Sequence, residues 1–119
     1  MQTAIINIKN LRLRTYIGFN PEELAKQQDV VINAEIHYPA DLALVTDSEN
    51  NAVNYKDITK KMIQHVEEGK FKLLEKLAGD LLDIAKAHSD VSYAKVSVDK
   101  PHALRFADSV SITMATDAR

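Results

Sequence analysis

Hydrophobic and polar residues alternate along the first part of the chain in the pattern of a β-strand with one buried face. Between positions 4 and 15, Ile6 and Ile8 share one phase of the alternation, whereas Leu11 and Leu13 share the other. One extra residue between Ile8 and Leu11 accounts for the change of phase. Because it inserts one position into the alternation, Leu11 and Leu13 can lie on the same face as Ile6 and Ile8. The sequence therefore predicts one long strand with a β-bulge.

Three further stretches alternate in the same way. The second strand follows a connection that Gly18, Asn20 and Pro21 punctuate, and we expect it to pair with the first strand as an antiparallel hairpin. The third and fourth strands are predicted over 92–99 and 109–115. The apolar side of the second strand consists of four residues: Val30, Ile32, Ala34 and Ile36.

Apolar residues recur at helical spacing in two segments in the middle of the chain. Asn54 is the predicted N-cap of the first helix, with Asp57 in its first turn, and Gly69 ends the helix. The second helix is predicted over about 73–87, where the apolar residues form one broad stripe. The segment 39–51 is polar and rich in turn-forming residues, so it is predicted to be irregular.

The predicted order of elements, ββααββ, belongs to the α+β class. It corresponds to a four-stranded antiparallel sheet with two helices on one face. The other face can be left open to solvent, or the open edges of the sheet can join copies of the chain into a ring with a wet interior. The residues expected on this second face are polar: Arg12, Arg14, Asn33, Glu35, Lys95, Ser97, Asp99, Ser111 and Thr113.

Composition narrows the class of protein. The 119 residues are enough for one core, so we expect a single domain over 1–119. A net charge of −2 gives no general attraction for nucleic acid. The chain has no cysteine and its start lacks the apolar run of a signal peptide, so we expect a soluble, cytoplasmic protein without a membrane partner.

The sequence offers no recognisable metal or nucleotide motif. No pair of histidines has the spacing that places two imidazoles on one metal ion, so no metal site is expected. Neither a GxGxxG motif nor a phosphate-binding P-loop is present, and we expect no bound cofactor. The four histidines are scattered along the chain: His37, His65, His88 and His102.

Lys100 stands at the end of the third predicted strand, and its position calls for an explanation. It shares the phase of Val96 and Val98, so its aliphatic stem should lie on the apolar side of the sheet, although Pro101 indicates that the strand is ending. A lysine in such a place needs a partner or a function. The loop that follows it carries two further cationic or titratable residues, His102 and Arg105.

Three other residues allow both a structural and a functional interpretation. Glu75 lies in the first turn of the second helix, where it could stabilise the helix terminus or accept hydrogen bonds from a flat ligand with adjacent N–H groups. Tyr55, at the start of the first helix, could pack its ring in the core or present its hydroxyl to a pocket. Glu23, in a loop after Gly18, could be an ordinary solvated charge.

Several of these residues occur in motifs that follow one another in a familiar order. Gly18 precedes Glu23, Gln28 opens the second strand, and the segments VNYKDI, FKLLEKLA and DKPHAL surround Tyr55, Glu75 and Lys100. Over nearly its whole length the chain thereby resembles the dihydroneopterin aldolase family. Four longer segments resemble the epimerase branch of that family: LRLRTYIG, VVINAEIHYPAD, QHVEEGKFKLLEKLA and HALRFADSVS.

The resemblance implies the tunnelling fold, in which the sheets of four subunits join into a barrel and two such rings stack into a homo-octamer. This assembly would give the polar sheet face a wet interior to line. The resemblance also implies pterin sites at subunit interfaces, so that Tyr55 would complete the pocket of a neighbouring subunit.

The resemblance further implies roles for individual residues. Glu75 would hold the amino group and ring N–H of the pterin, and Leu74 and Val53 would belong to the same substrate-binding site. Lys100 and Tyr55 would transfer protons. Glu23 would assist near the substrate side chain, and Gln28 would organise that end of the site. Four further residues are our candidates for phosphate contacts because their charges cluster near this site: His102, Arg105, Lys70 and Lys72. Many members of the family have histidine where this chain has Ile17, so that role has no residue here.

The activity implied by the epimerase branch is inversion of the 2′-carbon of 7,8-dihydroneopterin triphosphate by retro-aldol and aldol steps without a metal. One alternative is the aldolase reaction, which releases glycolaldehyde and 6-hydroxymethyl-7,8-dihydropterin. The other alternative is a pterin-binding protein without catalytic activity.

Overall fold

The computed structural model describes residues 2–117, in which a long hairpin forms the centre of the sheet. Strand β1 (Thr3–Ile17) pairs antiparallel with β2 (Gln28–Pro39), as predicted. The register shifts between Ile8 and Leu11, which confirms the bulge. Asn10 occupies the left-handed region at φ 53°, which asparagine tolerates better than most residues. The backbone N–H of Asn10 donates to Asn33 Oδ1 across the hairpin at 2.9 Å.

Two later strands extend the sheet as predicted. A further short strand brings the total in the described residues to five, so the prediction of four strands is wrong. Strands β4 (Tyr93–Lys100) and β5 (Val110–Ala115) add antiparallel pairs beyond β2. A short strand β3 (Lys70–Phe71) pairs in parallel with the end of β1, giving the order β3-β1-β2-β4-β5. Two residues are too few for alternation to appear in the sequence, so β3 could not be predicted from periodicity.

The two predicted helices are present with nearly the predicted bounds. Helix α3 (Tyr55–Glu68) begins after the N-cap Asn54, whose side chain accepts a hydrogen bond from Asp57 N at 3.0 Å. Helix α4 (Leu74–Lys86) follows β3. Helix α3 packs on β1 and α4 packs on β4 and β5, so the core lies between the helices and one face of the sheet.

The connections contain helical turns where the sequence predicted irregular structure. Helix α1 (Pro21–Ala25) lies between β1 and β2, helix α2 (Asp41–Thr46) follows β2, and a 3₁₀ turn spans Glu49–Asn51. These segments are too short for a periodic apolar stripe, and α2 exposes its apolar side chains, so local turn-forming residues dominated the sequence signal.

The opposite face of the sheet is polar, as predicted. A groove of about 250 Å³ on this face is lined by residues of β1, β2, β4 and β5, among them Asn33, Glu35, Lys95, Ser97 and Thr113. Glu35 accepts a hydrogen bond from His37 at 2.6 Å, and this bond lowers the pKa of the Glu35 carboxyl. Across the described residues 2–117, no helix is long and apolar enough to cross a membrane.

Candidate active site

Lys100 and Glu23 form an ion pair at one end of the sheet. Lys100 is the last residue of β4, and its Nζ lies 2.6 Å from Glu23 Oε2. Only 13% of the lysine side chain and 21% of the glutamate side chain are exposed. Two residues that stand 77 positions apart in the chain are therefore in direct contact. The lysine that the sequence left without a partner has one.

Glu23 is held by a helix N-terminus and does not lie in a loop, which corrects the sequence prediction. It is the third residue of α1, and its backbone N–H donates to Asn20 Oδ1 at 2.9 Å. In return, Glu23 Oε1 accepts from Phe19 N at 3.2 Å and from Asn20 N at 3.4 Å. This capping box fixes one carboxylate oxygen, so that the other is free to meet Lys100.

The absence of a side chain at Gly18 leaves space for the Glu23 carboxylate. The glycine has φ +128°, and a Cβ built there would lie 2.2 Å from Glu23 Cδ. Any side chain at position 18 would therefore displace the carboxylate or strain the backbone. The sequence also contains the spacing of a capping box from Asn20 to Glu23, a signal that could have placed Glu23 in a helix and not in a loop.

The hydrogen bond from Lys100 is the main reason why the pKa of Glu23 is lowered, and burial opposes it only in part. Bonds from the backbone of the capping box act in the same direction as the lysine. The carboxylate is thus ionised at neutral pH. A carboxylate and an ammonium group side by side offer an acceptor and a donor to a substrate hydroxyl.

A pocket of about 250 Å³ opens beside this pair, and two more of the predicted site residues line it. They are Gln28 and His102, which share the pocket wall with Glu23. The Gln28 side chain donates from Nε2 to the backbone oxygen of Ile17 at 2.6 Å. This bond ties the start of β2 to the end of β1.

The start of α4 lies at the same end of the molecule. The Gly18 backbone N–H donates to Phe71 O at 2.8 Å, which brings the residues after β3 next to the turn that carries Glu23. Leu74 and Glu75 follow directly in the first turn of α4, where Leu74 is half-buried and Glu75 is exposed. The N-terminal end of the helix macrodipole favours the charged Glu75 carboxylate.

Tyr55 and Val53 lie elsewhere in the subunit. Helix α3 reaches the Glu23 end with its last turn, where Thr15 Oγ1 donates to Val66 O at 2.7 Å. Tyr55, at the first turn, is therefore roughly 17 Å away from Val66 along the helix axis, at 1.5 Å per residue. Val53 is buried beside it, whereas the Tyr55 side chain is 53% exposed. A single subunit does not bring these two residues to Lys100.

The β4–β5 loop carries the predicted phosphate contacts His102 and Arg105 in different settings. His102 lines the pocket beside Glu23. The Arg105 guanidinium lies 5.5 Å from the centre of the Phe106 ring, and Phe106 is 95% exposed. Arg105 is thus part of an exposed loop and has no fixed place in the pocket wall.

The other two cations proposed from the sequence flank the start of α4. Lys70 Nζ lies 5.3 Å from the centre of the Tyr16 ring, the distance of a cation–π contact. Lys72 is exposed. Within residues 2–117, no group of three or more His, Cys, Asp or Glu side chains is arranged to hold a metal ion.

Known proteins of one family resemble this chain over nearly its whole length. A family model described as dihydroneopterin aldolase matches residues 6–115. The chain is 59% identical over 112 residues to dihydroneopterin triphosphate 2′-epimerase of Escherichia coli K12, covering 94% of this chain and 93% of the relative. It is 53% identical over 112 residues to the protein of that name from Pseudomonas aeruginosa PAO1, covering 94% and 91%. Identity to dihydroneopterin aldolase of Escherichia coli K12 is 26% over 108 residues, covering 91% and 88%.

Solved structures share the fold over almost the entire chain. The crystal structure of Escherichia coli dihydroneopterin aldolase in complex with neopterin superposes with a TM-score of 0.89 at 24% identity, covering 96% of this chain and 99% of the other. Dihydroneopterin aldolase from Burkholderia thailandensis, bound to guanine, gives a TM-score of 0.83 at 26% identity, covering 98% and 93%. These likenesses confirm the tunnelling fold predicted for the subunit.

Proposed function

The chain belongs to the dihydroneopterin aldolase family, and from that membership we propose that it is an isomerase that inverts the 2′-carbon of 7,8-dihydroneopterin triphosphate to give dihydromonapterin triphosphate. One observation carries the choice of reaction. The chain is 59% identical to an Escherichia coli epimerase and only 26% identical to the aldolase of the same organism, over nearly the same length. The alignment leaves almost no part of the chain unmatched.

The reaction can proceed through cleavage of the bond between C1′ and C2′. A base removes the proton of the 2′-hydroxyl, the C1′–C2′ bond breaks, and C2′ becomes an aldehyde that still carries the phosphates. The electron pair of the broken bond passes through C1′ into the pterin ring, which takes up a proton. The aldehyde then turns over and the enol re-adds to its other face. Every atom and electron returns, so the step needs no redox cofactor.

Lys100 and Glu23 are the groups of this subunit best placed for the proton transfers. Glu23 lines the pocket and is ion-paired with Lys100, and the capping box fixes the carboxylate toward the lysine. Lys100 would relay the proton: its ammonium group gives one proton to the pterin ring, and the neutral amine takes the proton of the 2′-hydroxyl. Glu23 would position the amine and accept hydrogen bonds near the side chain of the substrate. Positioned acid–base groups of this kind typically contribute about 10²–10⁴-fold to a rate.

Pterin binding is assigned to two separate parts of the chain. Glu75 would accept hydrogen bonds from the amino group and ring N–H of the pterin, with Leu74 beside it and Gln28 organising the far end. Tyr55, at the start of α3, and Val53, just before it, lie too far away to join them within one subunit. They would therefore reach the site of a neighbouring subunit, with Tyr55 acting in proton transfer, and this requires a homo-oligomer. We propose the octamer of two stacked rings.

The phosphates would lie near the β4–β5 loop, with His102 in the pocket wall and Arg105 on the loop as contacts. A triphosphate carries several negative charges and does not cross a bilayer unaided. The enzyme must therefore work in the compartment where its substrate is made, and we propose the cytoplasm.

Aldolase activity is the second candidate, because the family model that matches residues 6–115 is described by that reaction. The same bond is broken in both reactions, and the outcome depends on whether the aldehyde stays long enough to re-add. Retention of the aldehyde therefore separates an epimerase from an aldolase built on the same groups.

Product analysis tests the proposed function. The purified protein is incubated with 7,8-dihydroneopterin triphosphate and, separately, with 7,8-dihydroneopterin, and the dephosphorylated and oxidised pterins are separated on a chiral column. Monapterin from the triphosphate supports the epimerase. A 6-hydroxymethyl product as the main species from either substrate identifies an aldolase, and unchanged substrates in both reactions identify a non-catalytic pterin-binding protein.

A further inference from the structure

A second and larger cavity adjoins the pocket beside Glu23. This cleft of about 800 Å³ is lined by the later part of β1, the start of β2 with Gln27 before it, and the first two residues of the β4–β5 loop. Glu67 of α3 also lines it and, with Asp29, gives the cleft two carboxylates beside its two arginines. His102 lines both the cleft and the smaller pocket. Gln27 lines the cleft and its neighbour Gln28 lines the pocket. The two cavities therefore meet around the start of β2.

Two arginines of β1 point into this cleft. Arg12 and Arg14 lie opposite Val31 and Asp29 of β2, with Leu13 between them. Alternate residues of a strand project from the same face, so both guanidinium groups leave the sheet on its polar side. Unlike Arg105, which belongs to an exposed loop, these two side chains start from paired strands.

The Arg14 guanidinium reaches the start of β2, next to the pocket. Its Nη1 lies 2.8 Å from Asp29 Oδ1, and its Nη2 donates to Gln27 O at 2.9 Å. The side chains of Arg14 and Asp29 are 59% and 49% exposed. An ion pair as exposed as this contributes little to stability, so Arg14 can exchange the carboxylate for a more highly charged anion.

We propose that Arg12 and Arg14, together with His102, form the subsite for the outer phosphates of the substrate, an inference that rests on the proposed epimerase function. In the substrate, the first phosphorus is joined to the 2′-carbon through C3′ and its oxygen, at about 1.5 Å per bond. A 2′-carbon beside Lys100 therefore places this phosphate near the pocket rim, where His102 lies. The following phosphates then extend into the cleft.

The chemistry of the two arginines suits this ligand. A guanidinium group donates two parallel hydrogen bonds to the oxygens of one phosphate and stays charged at any physiological pH. Arg12 and Arg14 would thus bind the triphosphate specifically and would make no contact with unphosphorylated dihydroneopterin. They are specificity-determining residues and take no part in the proton transfers.

Kinetics on paired substrates test the subsite. For Arg12→Ala and for Arg14→Ala, we expect kcat/KM to fall at least about tenfold on 7,8-dihydroneopterin triphosphate and less than about twofold on 7,8-dihydroneopterin. Lys9→Ala is the matched control, because it removes a cation from the same strand but lines the separate groove on the polar face. It should leave both substrates unaffected. Equal losses on both substrates, or no loss on either, would overturn the proposal.

Binding of inorganic tripolyphosphate separates this proposal from the proposed reaction. By calorimetry, the wild-type protein should bind tripolyphosphate, and the Arg12→Ala/Arg14→Ala double variant should bind it at least about tenfold more weakly, with an unchanged far-ultraviolet spectrum. If the wild type forms no epimer, the proposed function fails, and this titration still decides the subsite. A double variant that binds tripolyphosphate as tightly as the wild type would refute the subsite even if the epimerase activity is found.

Discussion

Glu23 and Lys100 depend on each other, because both charged side chains are largely buried and each neutralises the charge of the other. The 2.6 Å bond between them removes the need for solvent around either group. Gly18 and Asn20 determine where the carboxylate sits, so the geometry of the pair is set by backbone as much as by side chains. The two groups proposed for proton transfer are therefore already oriented before any substrate binds.

At Lys100, truncation should separate binding from turnover. We expect Lys100→Ala to bind a pterin with little change in affinity, because Glu75 and not Lys100 is proposed to hold the ring, while kcat falls by at least about 10²-fold. Fluorescence titration with neopterin measures binding, and product formation measures turnover. Lys86→Ala, at the far end of α4, is the control and should behave as the wild type. A Lys100→Ala variant with near wild-type turnover would remove the lysine from the chemistry.

Between elements, Asp80 joins the two long helices. Its Oδ2 lies 2.8 Å from Nε2 of His65 on α3, and its Oδ1 lies 3.0 Å from Nζ of Lys76 on its own helix. Burial alone would raise the pKa of Asp80, but the hydrogen bonds from Lys76 and His65 outweigh it and lower that pKa. The carboxylate thus ties α3 to α4 in its ionised form.

The stabilising effect of Asp80 should be lost in acid. Its pKa is lower in the folded state than in the unfolded state, so ionised Asp80 adds stability above the unfolded value of about 3.9 and loses it as the pH falls through the folded value. We expect Asp80→Asn to lower the urea midpoint at pH about 7, and the difference from the wild type to shrink below pH about 4. Both proteins are compared at one protein concentration.

Asp83→Asn is the matched control for this experiment. Asp83 lies on α4 and is 73% exposed, with Lys86 Nζ at 3.6 Å. Removing its charge should change the midpoint little at any pH, because exposed ion pairs contribute little. A constant difference between Asp80→Asn and the wild type across the pH range would contradict the role of the Asp80 carboxylate.

The elements that the sequence predicted are those with enough length to show a period. Fifteen residues of β1 and fourteen of α3 repeat their apolar spacing several times, so their bounds were nearly correct. Strand β3 has two residues and α1 has five, and both are stabilised by backbone hydrogen bonds and a cap that leave no apolar pattern. Periodicity cannot detect such segments, although they position the site.

The sequence predicted which residues belong to the candidate site, but it did not predict how they are arranged in space. Motif resemblance named Glu23, Tyr55, Glu75 and Lys100 together, but only the fold shows that Glu23 pairs with Lys100 and that Tyr55 is remote from both. Contacts across 77 positions depend on how the sheet and its connections pack, and spacing along the chain does not contain them. The resemblance therefore supplied residues, and the structure supplied their partners.

As a whole, the molecule is long, and the residues proposed for the site lie in two separate places. It measures 54 Å along its longest axis and 26 Å and 20 Å across the others. Glu23, Glu75 and Lys100 gather where β1 ends, whereas Tyr55 lies at the other end of α3. Two subunits that place these ends together would complete one site, and a closed ring would repeat the contact without leaving an end free.

Mixed oligomers test whether the site is shared. Lys100→Ala and Tyr55→Phe subunits, each inactive alone, are co-expressed with different tags and the hybrid is purified. If Lys100 and Tyr55 come from neighbouring subunits, about a quarter of the sites should regain both wild-type residues at equal mixing. Activity well above that of either parent is the expected result.

A second hybrid provides the control for subunit mixing. Glu23 and Lys100 lie in one subunit, so co-expression of Glu23→Gln with Lys100→Ala can rebuild no intact site. This hybrid should stay as inactive as its parents. Recovery in both hybrids, or in neither, would contradict a site that takes Tyr55 from a neighbour.

The bulge in β1 has a consequence for how the length of this strand can change. Three steps on β1, from Ile8 to Leu11, oppose two steps on β2, so one residue is surplus to the pairing. Loss of that surplus residue would restore a regular strand and leave Ile8 and Leu11 on the same face. Loss of a residue on either side of the bulge would shift the alternation of the strand by one position, so that arginines would face the core and leucines would face solvent. Insertions and deletions in homologous strands should therefore be confined to the bulge.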